Sequence, residues 1–296
     1  MSGSLFALLG AGCFGLSAVF LRRGVVRGSD SSAGVLVSLF LAVPYFALIL
    51  SGMGQIGEIG AFPWPGYIFL AGAGIVHFVL GRSLYYGAIQ AVGANMAQIL
   101  TAAGPLCSVI WGILIFSEPL TWELASGAAL IISGVLLIVW GPTQARDALS
   151  VSPGMFIRGV LSGLGAGVLY GSSPILVKWG LGEAGAPVAG TFISYIAASA
   201  SMSFMLFHQG QRDNLMGMDR ATLLWFSISG TLVATAQLFR YVALSLSPMS
   251  IVGPLFSASR MLVIIFSFIL NRRLETFAPK VILGSVLVVF GTVILF

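Results

Sequence analysis

The sequence predicts an all-α membrane protein of ten transmembrane helices, arranged as two inverted five-helix repeats. Three observations predict it. Of 296 residues, 58% are hydrophobic and only 8% charged, against about 45–50% and about 25% in ordinary soluble domains. Ten apolar segments each have the length needed to cross the hydrocarbon of a bilayer. Motifs in the first half recur in the second at a nearly constant spacing.

The segments run over residues 4–21, 33–51, 65–88, 92–116, 122–141, 157–178, 188–207, 220–244, 249–270 and 277–296. The first is read as a retained span. A secretory signal carries its positive charge ahead of the apolar run, whereas here Arg22 and Arg23 follow it. A loop rich in Gly and Pro, from Gly52 to Pro65, separates the second and third segments. Gly141-Pro142 opens the longest polar stretch, which ends at Pro153, and residues 208–219 form the next. The runs are too long and too uniformly apolar for barrel strands, which alternate, and a backbone in lipid must satisfy its own hydrogen bonds, so all are read as helices.

The repeat rests on three blocks. Ala7, Ala11 and Gly15 match Gly163, Gly167 and Gly171 at an offset of 156, which also carries Ser17 onto Ser173, Arg22 onto Lys178 and Gly24 onto Gly180. Tyr86-Gly87-Ala88-Ile89 matches Tyr241-Val242-Ala243-Leu244 at 155, and Gly127 and Gly134 match Gly284 and Gly291 at 157. The small-xxx-small faces let helix backbones approach closely. The domains are thus residues 1–142 and 157–296, joined by a loop at 143–156. Five spans per repeat is an odd number, so the second repeat enters from the opposite side, an arrangement found in secondary transporters with a central site.

Ten of the basic residues lie in the odd-numbered connections (Arg22, Arg23, Arg27, Arg146, Arg158, Arg212, Arg220, Arg272, Arg273 and Lys280), and Lys178 alone lies in an even one. The excess of Lys and Arg puts the odd connections in the cytoplasm and both termini outside. The net charge of +5 thus sets orientation and does not point to nucleic acid. Cys13 and Cys107 both fall inside apolar runs, and neither a disulfide nor a metal site is expected of them.

The stretch Phe116-Ser117-Glu118-Pro119-Leu120-Thr121, followed by Gly127, Ala128, Ala129, Leu130, Ile131 and Gly134, resembles the signature of the EamA domain. That domain is the repeat unit of the drug/metabolite transporter (DMT) superfamily. Tyr85-Tyr86-Gly87-Ala88-Ile89 and Gly104-Pro105 are similar to its third and fourth spans, and Arg272-Arg273-Leu274-Glu275 with Gly284 and Gly291 is a weaker copy of the signature. The sequence departs from the pattern at Arg260, which stands opposite Pro105 in the second repeat, and at Glu275, which follows Leu274 where Glu118 precedes Leu120. Family members are commonly drawn with both termini in the cytoplasm; the charge count here gives the reverse. The resemblance implies a carrier and is nearly silent on substrate.

Charge at membrane depth is costly, so polar residues inside the segments are the candidate site. Arg260 lies near the middle of the ninth segment and is the first candidate for substrate binding; a clamp on backbone carbonyls is the alternative. Gln237 and Arg240 share a face of the eighth, and Arg82 and His77 lie in the third, where Arg82 and Arg240 could also snorkel. Asn95 and Gln98 share a face at the start of the fourth. Tyr170, Ser172, Ser173 and Pro174 are expected to interrupt the sixth and free carbonyls for a ligand, or else to make a kink filled by serine hydroxyls.

None of the nine acidic residues lies at mid-membrane. The small multidrug exporters of the superfamily rely on a buried Glu to trade protons for cations, and nothing here takes that part. No nucleophile elbow, HExxH motif, P-loop or paired carboxylate is present, so neither an enzyme nor ATP-driven transport is expected. The expected function is secondary transport, by alternating access, of a carboxylate-bearing metabolite such as an amino acid or organic acid. Direction is not in the sequence. The alternative is export of drugs or cationic metabolites coupled to protons through His77, and a non-transporting sensor or assembly subunit ranks behind both. Expected partners are the small-molecule substrate, a coupling proton or counter-substrate, and the bilayer of a bacterial inner (plasma) membrane. No cofactor, metal or nucleic acid is expected, and the unit is a monomer with a dimer as the alternative.

Overall fold

The computed structural model describes residues 3–27, 30–116, 122–139, 152–182, 184–207, 209–247, 252, 255–275, 277 and 279–294. The signature residues Ser117 to Thr121 and most of the connection at 143–156 lie outside them. Every regular element among the described residues is helical. In chain order they are α1 (Gly3–Val25), α2 (Ser31–Gly52), α3 (Trp64–Gly74), α4 (Arg82–Leu100), α5 (Ala103–Phe116), α6 (Trp122–Val139), α7 (Pro153–Leu181), α8 (Pro187–Ser203), α9 (Gln209–Met216), α10 (Arg220–Leu246), α11 (Ser259–Leu270) and α12 (Pro279–Ile294). A π-helical stretch, Ile75–Gly81, joins α3 to α4.

Five helical stretches have the length and apolarity to cross a membrane: α1, α2, the run from Trp64 to Leu100, α7 and α10. Helices α11 and α12 are apolar but shorter. Leu48, Leu161, Ile269 and Phe290 stand more than 60% exposed on helix faces, an outer surface that only lipid can cover at low cost. The chain is an integral, multi-pass helical membrane protein.

The helix starts follow from local chemistry. Asp30 accepts the Ser32 amide ahead of α2, Asp219 accepts that of Thr222 in α10, and Ser152 accepts that of Met155 in α7. Pro187 stands in the first turn of α8, where its missing N–H costs nothing. One sequence expectation is corrected here: Pro174 does not interrupt the sixth segment, and α7 runs unbroken from Pro153 to Leu181. Proline removes the bond to the carbonyl four residues back, which is that of Tyr170, and Ser173 Oγ donates to that same carbonyl at 3.4 Å.

The two halves pack with a shared rule. Helix α1 lies against α10, and α7 against α3 and α4; α2 crosses α10 as α8 crosses α3; α6 pairs with α12. Small residues at these crossings answer one another across the halves. A Cβ on Gly74 would strike the Ser194 carbonyl, and one on Gly230 would lie 2.8 Å from Ser38 Cα. Leu70 fills the space beside Gly180 and Gly190, while Phe226 fills that beside Gly24 and Gly34. A Cβ on Gly134 would lie 2.6 Å from the Gly284 carbonyl oxygen, and one on Gly291 2.6 Å from that of Gly127. Adding or subtracting 156 or 157 turns the first member of each set into the second. Reciprocal contacts of this kind are what a two-fold relation produces.

The odd-numbered connections gather at one end. Arg27 reaches Asp219, Arg22 reaches the Gln90 carbonyl, Arg23 reaches that of Leu270, and Gln90 and Ser152 border one surface hollow. Trp64, Trp122 and Trp179, all exposed, flank the even-numbered connections, the place of aromatic anchors at an interface. The Arg27–Asp219 pair is half exposed on both sides and adds little stability.

Candidate functional site

Two breaks in helical order create the site. The fourth apolar segment is cut at Thr101 and Ala102, where the Ala102 amide turns back to the Ile99 carbonyl at 2.9 Å. The ninth is cut at Ala258, whose amide turns back to the Leu255 carbonyl at 3.2 Å. Residues 102 and 258, like 99 and 255, stand 156 apart. Discontinuous helices at matching places in two repeats point to a binding site between them.

A cavity of about 710 Å³, counting the part open to solvent, lies between these breaks. Phe14 of α1, His77 of the π-helical stretch and Gln98 of α4 face it, as do Tyr170 of α7 and Gln237 and Arg240 of α10. Thr101, Gly104 and Pro105 line it at one break; Phe256, Ser257, Ser259 and Arg260 line it at the other. Its walls come from the first, third, fourth, sixth, eighth and ninth apolar segments. Among the described residues no carboxylate lines it.

His77 sits at the centre of a polar network. Its Nδ1 is 2.6 Å from Ser173 Oγ and its Nε2 is 3.2 Å from the Gln237 side-chain nitrogen. Arg240 Nη1 lies within 3.3 Å of both ring nitrogens and 3.4 Å from Gln237 Oε1. The Gln237 oxygen accepts from Arg240, which leaves its amide N–H to donate to Nε2 and Nδ1–H to donate to Ser173; in that tautomer Arg240 Nη1 can donate to Nε2, and its approach to Nδ1 is a contact between two donors. The π-helical register turns His77 toward this network, and single-turn π segments recur at functional sites. Tyr170 covers the imidazole with ring centroids 4.3 Å apart.

Arg260 occupies the other side. The residue is 6% exposed, and its Nε and Nη1 find no hydrogen-bond partner among the described residues. Gln98 stands beside it, accepting from Tyr85 Oη at 2.5 Å and donating to Ser259 Oγ at 3.0 Å. An unpaired buried guanidinium is costly unless a ligand or water completes it.

The remaining candidates fall elsewhere. Arg82 is buried outside the cavity, donating to Ser38 Oγ at 3.1 Å and Tyr195 Oη at 2.8 Å, with its guanidinium 5.0 Å from the Phe78 ring centroid. Ser173 stands behind His77 and contacts it without lining the cavity. Asn95 is buried outside the cavity, and its backbone amide donates to Glu275. Phe14, Thr101, Phe256 and Ser259 line the site although no sequence signal singled them out.

Glu275 lies in the last connection with its side chain buried, only 1% exposed. Its carboxylate accepts the Ala94 and Asn95 amides at 2.8 and 3.2 Å and lies 3.4 Å from Arg22 Nε. Burial raises its pKa from the ordinary value, with Arg22 and the two amides acting in the other direction.

This geometry defines a class: a helical membrane protein of two matched halves around a polar, positively charged chamber. The comparisons with known proteins specify it further. The family model described as "EamA-like transporter family" matches residues 1–140 and again 157–296. The chain belongs to that family, whose domain is the repeat unit of the drug/metabolite transporter superfamily. A solved structure described only as "Crystal structure of protein" aligns over 99% of this chain and 96% of its own, with a TM-score of 0.64 at 12% identity. That likeness concerns the fold alone. No curated protein matches the chain.

Proposed function

We propose that the chain is a secondary transporter of ten transmembrane helices in two inverted five-helix repeats. It moves a small polar metabolite bearing a carboxylate, an amino acid or organic acid, by alternating access. The observation that carries this reading is Arg260: a buried guanidinium with two nitrogens unpartnered among the described residues, in a cavity whose described lining also holds Arg240 and no carboxylate. A guanidinium fork matches a carboxylate in geometry and charge. Phe14, Tyr170 and Phe256 give the cavity apolar walls for the rest of the substrate. The gathering of basic connections on one side suits a bacterial inner membrane, where such an amino acid or organic acid would cross. Uptake by protein-loaded liposomes of a labelled panel of amino acids and organic acids tests the proposal. Saturable uptake of at least one such anion supports it, and uptake confined to lipophilic cations contradicts it.

The rival reading, a cation exporter coupled to protons through His77, draws on the central place of that residue. Two cavity-lining guanidiniums work against it, because a cationic substrate would meet like charge without a carboxylate to offset it. His77 is better read as an orienting residue that holds Arg240 and Gln237 in place. We expect His77→Gln to lower affinity for the anion without flattening the pH profile of transport. A profile that loses its pH dependence in His77→Gln, measured between about pH 5 and pH 8 where histidine titrates, supports the rival.

A further inference from the structure

Glu275 does not line the cavity, yet its side chain is almost wholly buried, and three elements converge on it. Arg22, near the end of α1, pairs with it and also donates to the carbonyls of Ile89 and Gln90 at 2.8 and 3.2 Å. Its carboxylate receives the two amides that open the short helical run from 94 to 100. Gly93, just before that run, has φ +82° and ψ 165°, a conformation essentially restricted to glycine. A Cβ on Gly93 would lie 2.7 Å from the Glu275 carboxylate. The neighbouring Arg23 and Asn271 add a second tie: Arg23 donates to Asn271 Oδ1 at 2.7 Å and the Asn271 amide donates to the Val19 carbonyl at 2.7 Å.

The run from 94 to 100 is about 10 Å long. One end is held by Glu275; the other carries Gln98 and Thr101 in the cavity wall, beside Ser259 and Arg260. A rigid piece of this kind transmits displacement between its ends. The repeat register places Lys178 opposite Arg22, and Lys178 is exposed where Arg22 is nearly buried. The two ends of the molecule therefore differ, although the helices that form them match.

We propose that Glu275, clamped by Arg22 and by the 94–100 amides, is the gate residue that seals the cavity toward the basic face, and that transport requires this clamp to open. The inference rests on the transporter reading above. Release of the carboxylate frees the 94–100 run at Gly93, and movement of Gln98 and Thr101 couples that release to the occupancy of the cavity.

The test uses the full chain with Cys13→Ala and Cys107→Ala, plus Thr101→Cys as a thiol in the cavity wall. A membrane-impermeant maleimide is applied from each face, in spheroplasts and in inverted vesicles. Glu275→Gln is expected to speed labelling from the basic face by about tenfold or more, the scale of removing one partner of a buried ion pair. Gly93→Ala, which meets the carboxylate, is expected to act in the same direction. Arg22→Gln keeps both amide bonds to Glu275 and breaks the charge pair together with the Arg22 bonds to the Ile89 and Gln90 carbonyls; it gives a smaller increase and serves if the other two do not reach the membrane. Arg22→Lys is expected to label at the parent rate. Rates from the basic face that stay within about twofold of the parent in whichever variants are correctly inserted overturn the gate. Faster labelling in the variants, together with no uptake of any substrate by the unmodified protein, which keeps Thr101, overturns the transporter reading and leaves the clamp standing.

Discussion

Arg260→Ala abolishes anion transport and does not lower the melting temperature. The two halves of this result have separate causes. Truncating a buried charge that pairs with a ligand costs about 2–5 kcal/mol of binding, which is roughly 30-fold to several-thousand-fold in affinity. Folding loses nothing comparable, because Nε and Nη1 of Arg260 have no partner among the described residues to leave behind. Removing a buried charge that lacks a partner also removes the cost of its desolvation. Arg260→Lys keeps the charge but not the fork and lies between. Initial rates in proteoliposomes, read beside a thermal melt of the same preparation, measure both quantities. Transport at the parent rate removes Arg260 from the site. A large drop in melting temperature returns it to the role of a structural clamp.

The second large effect concerns the crossings between the halves. Gly74→Ala drives a methyl group into the Ser194 backbone, and Gly230→Ala drives one to 2.8 Å from Ser38 Cα. Overpacking of this sort costs about 1–3 kcal/mol. The two crossings share no partner, so the double variant loses about the sum of the single losses. Gly12→Ala is the control: no atom lies within 4 Å of its added methyl, and alanine for glycine inside a helix stabilises by about 0.5–1 kcal/mol. Equal and additive losses at the two crossings, against a small gain at Gly12, follow from a repeated packing unit. A loss at one crossing only would mean that the matched contacts do not share one geometry.

Much of this was legible in the residues. Helical periodicity is not what revealed it; charge scarcity, segment length and the 156-residue register did. The register extends to contacts that no pattern displays, such as Leu70 and Phe226 filling equivalent glycine gaps, because identical small-residue spacing forces identical crossings. Arg260, His77, Gln237 and Arg240 were visible as charge or polarity where lipid excludes it, and together with Gln98 and Tyr170 they line one cavity. Arg82 was equally visible yet sits apart, since membrane depth shows in a sequence while direction around a helix does not. The sequence placed Glu275 in a loop, which is correct for the chain path. Its burial depends on Gly93 and Arg22, residues 182 and 253 positions earlier, and no local signal joins them. At Pro174 the interruption did not occur, and the alternative of a serine hydroxyl filling the gap did: Ser173 donates to the carbonyl that the proline leaves without its usual partner.

The most direct test of anion recognition in the central cavity is a ligand-induced thermal shift on purified protein, with amino acids, organic acids, phosphorylated metabolites and lipophilic cations. A ligand at about one hundred times its dissociation constant stabilises by about 2.7 kcal/mol, a visible shift. Carboxylate-bearing metabolites are expected to raise the melting temperature of the parent and to leave that of Arg260→Ala unmoved. Stabilisation by cations alone, or the same anion shift in both proteins, contradicts recognition through Arg260.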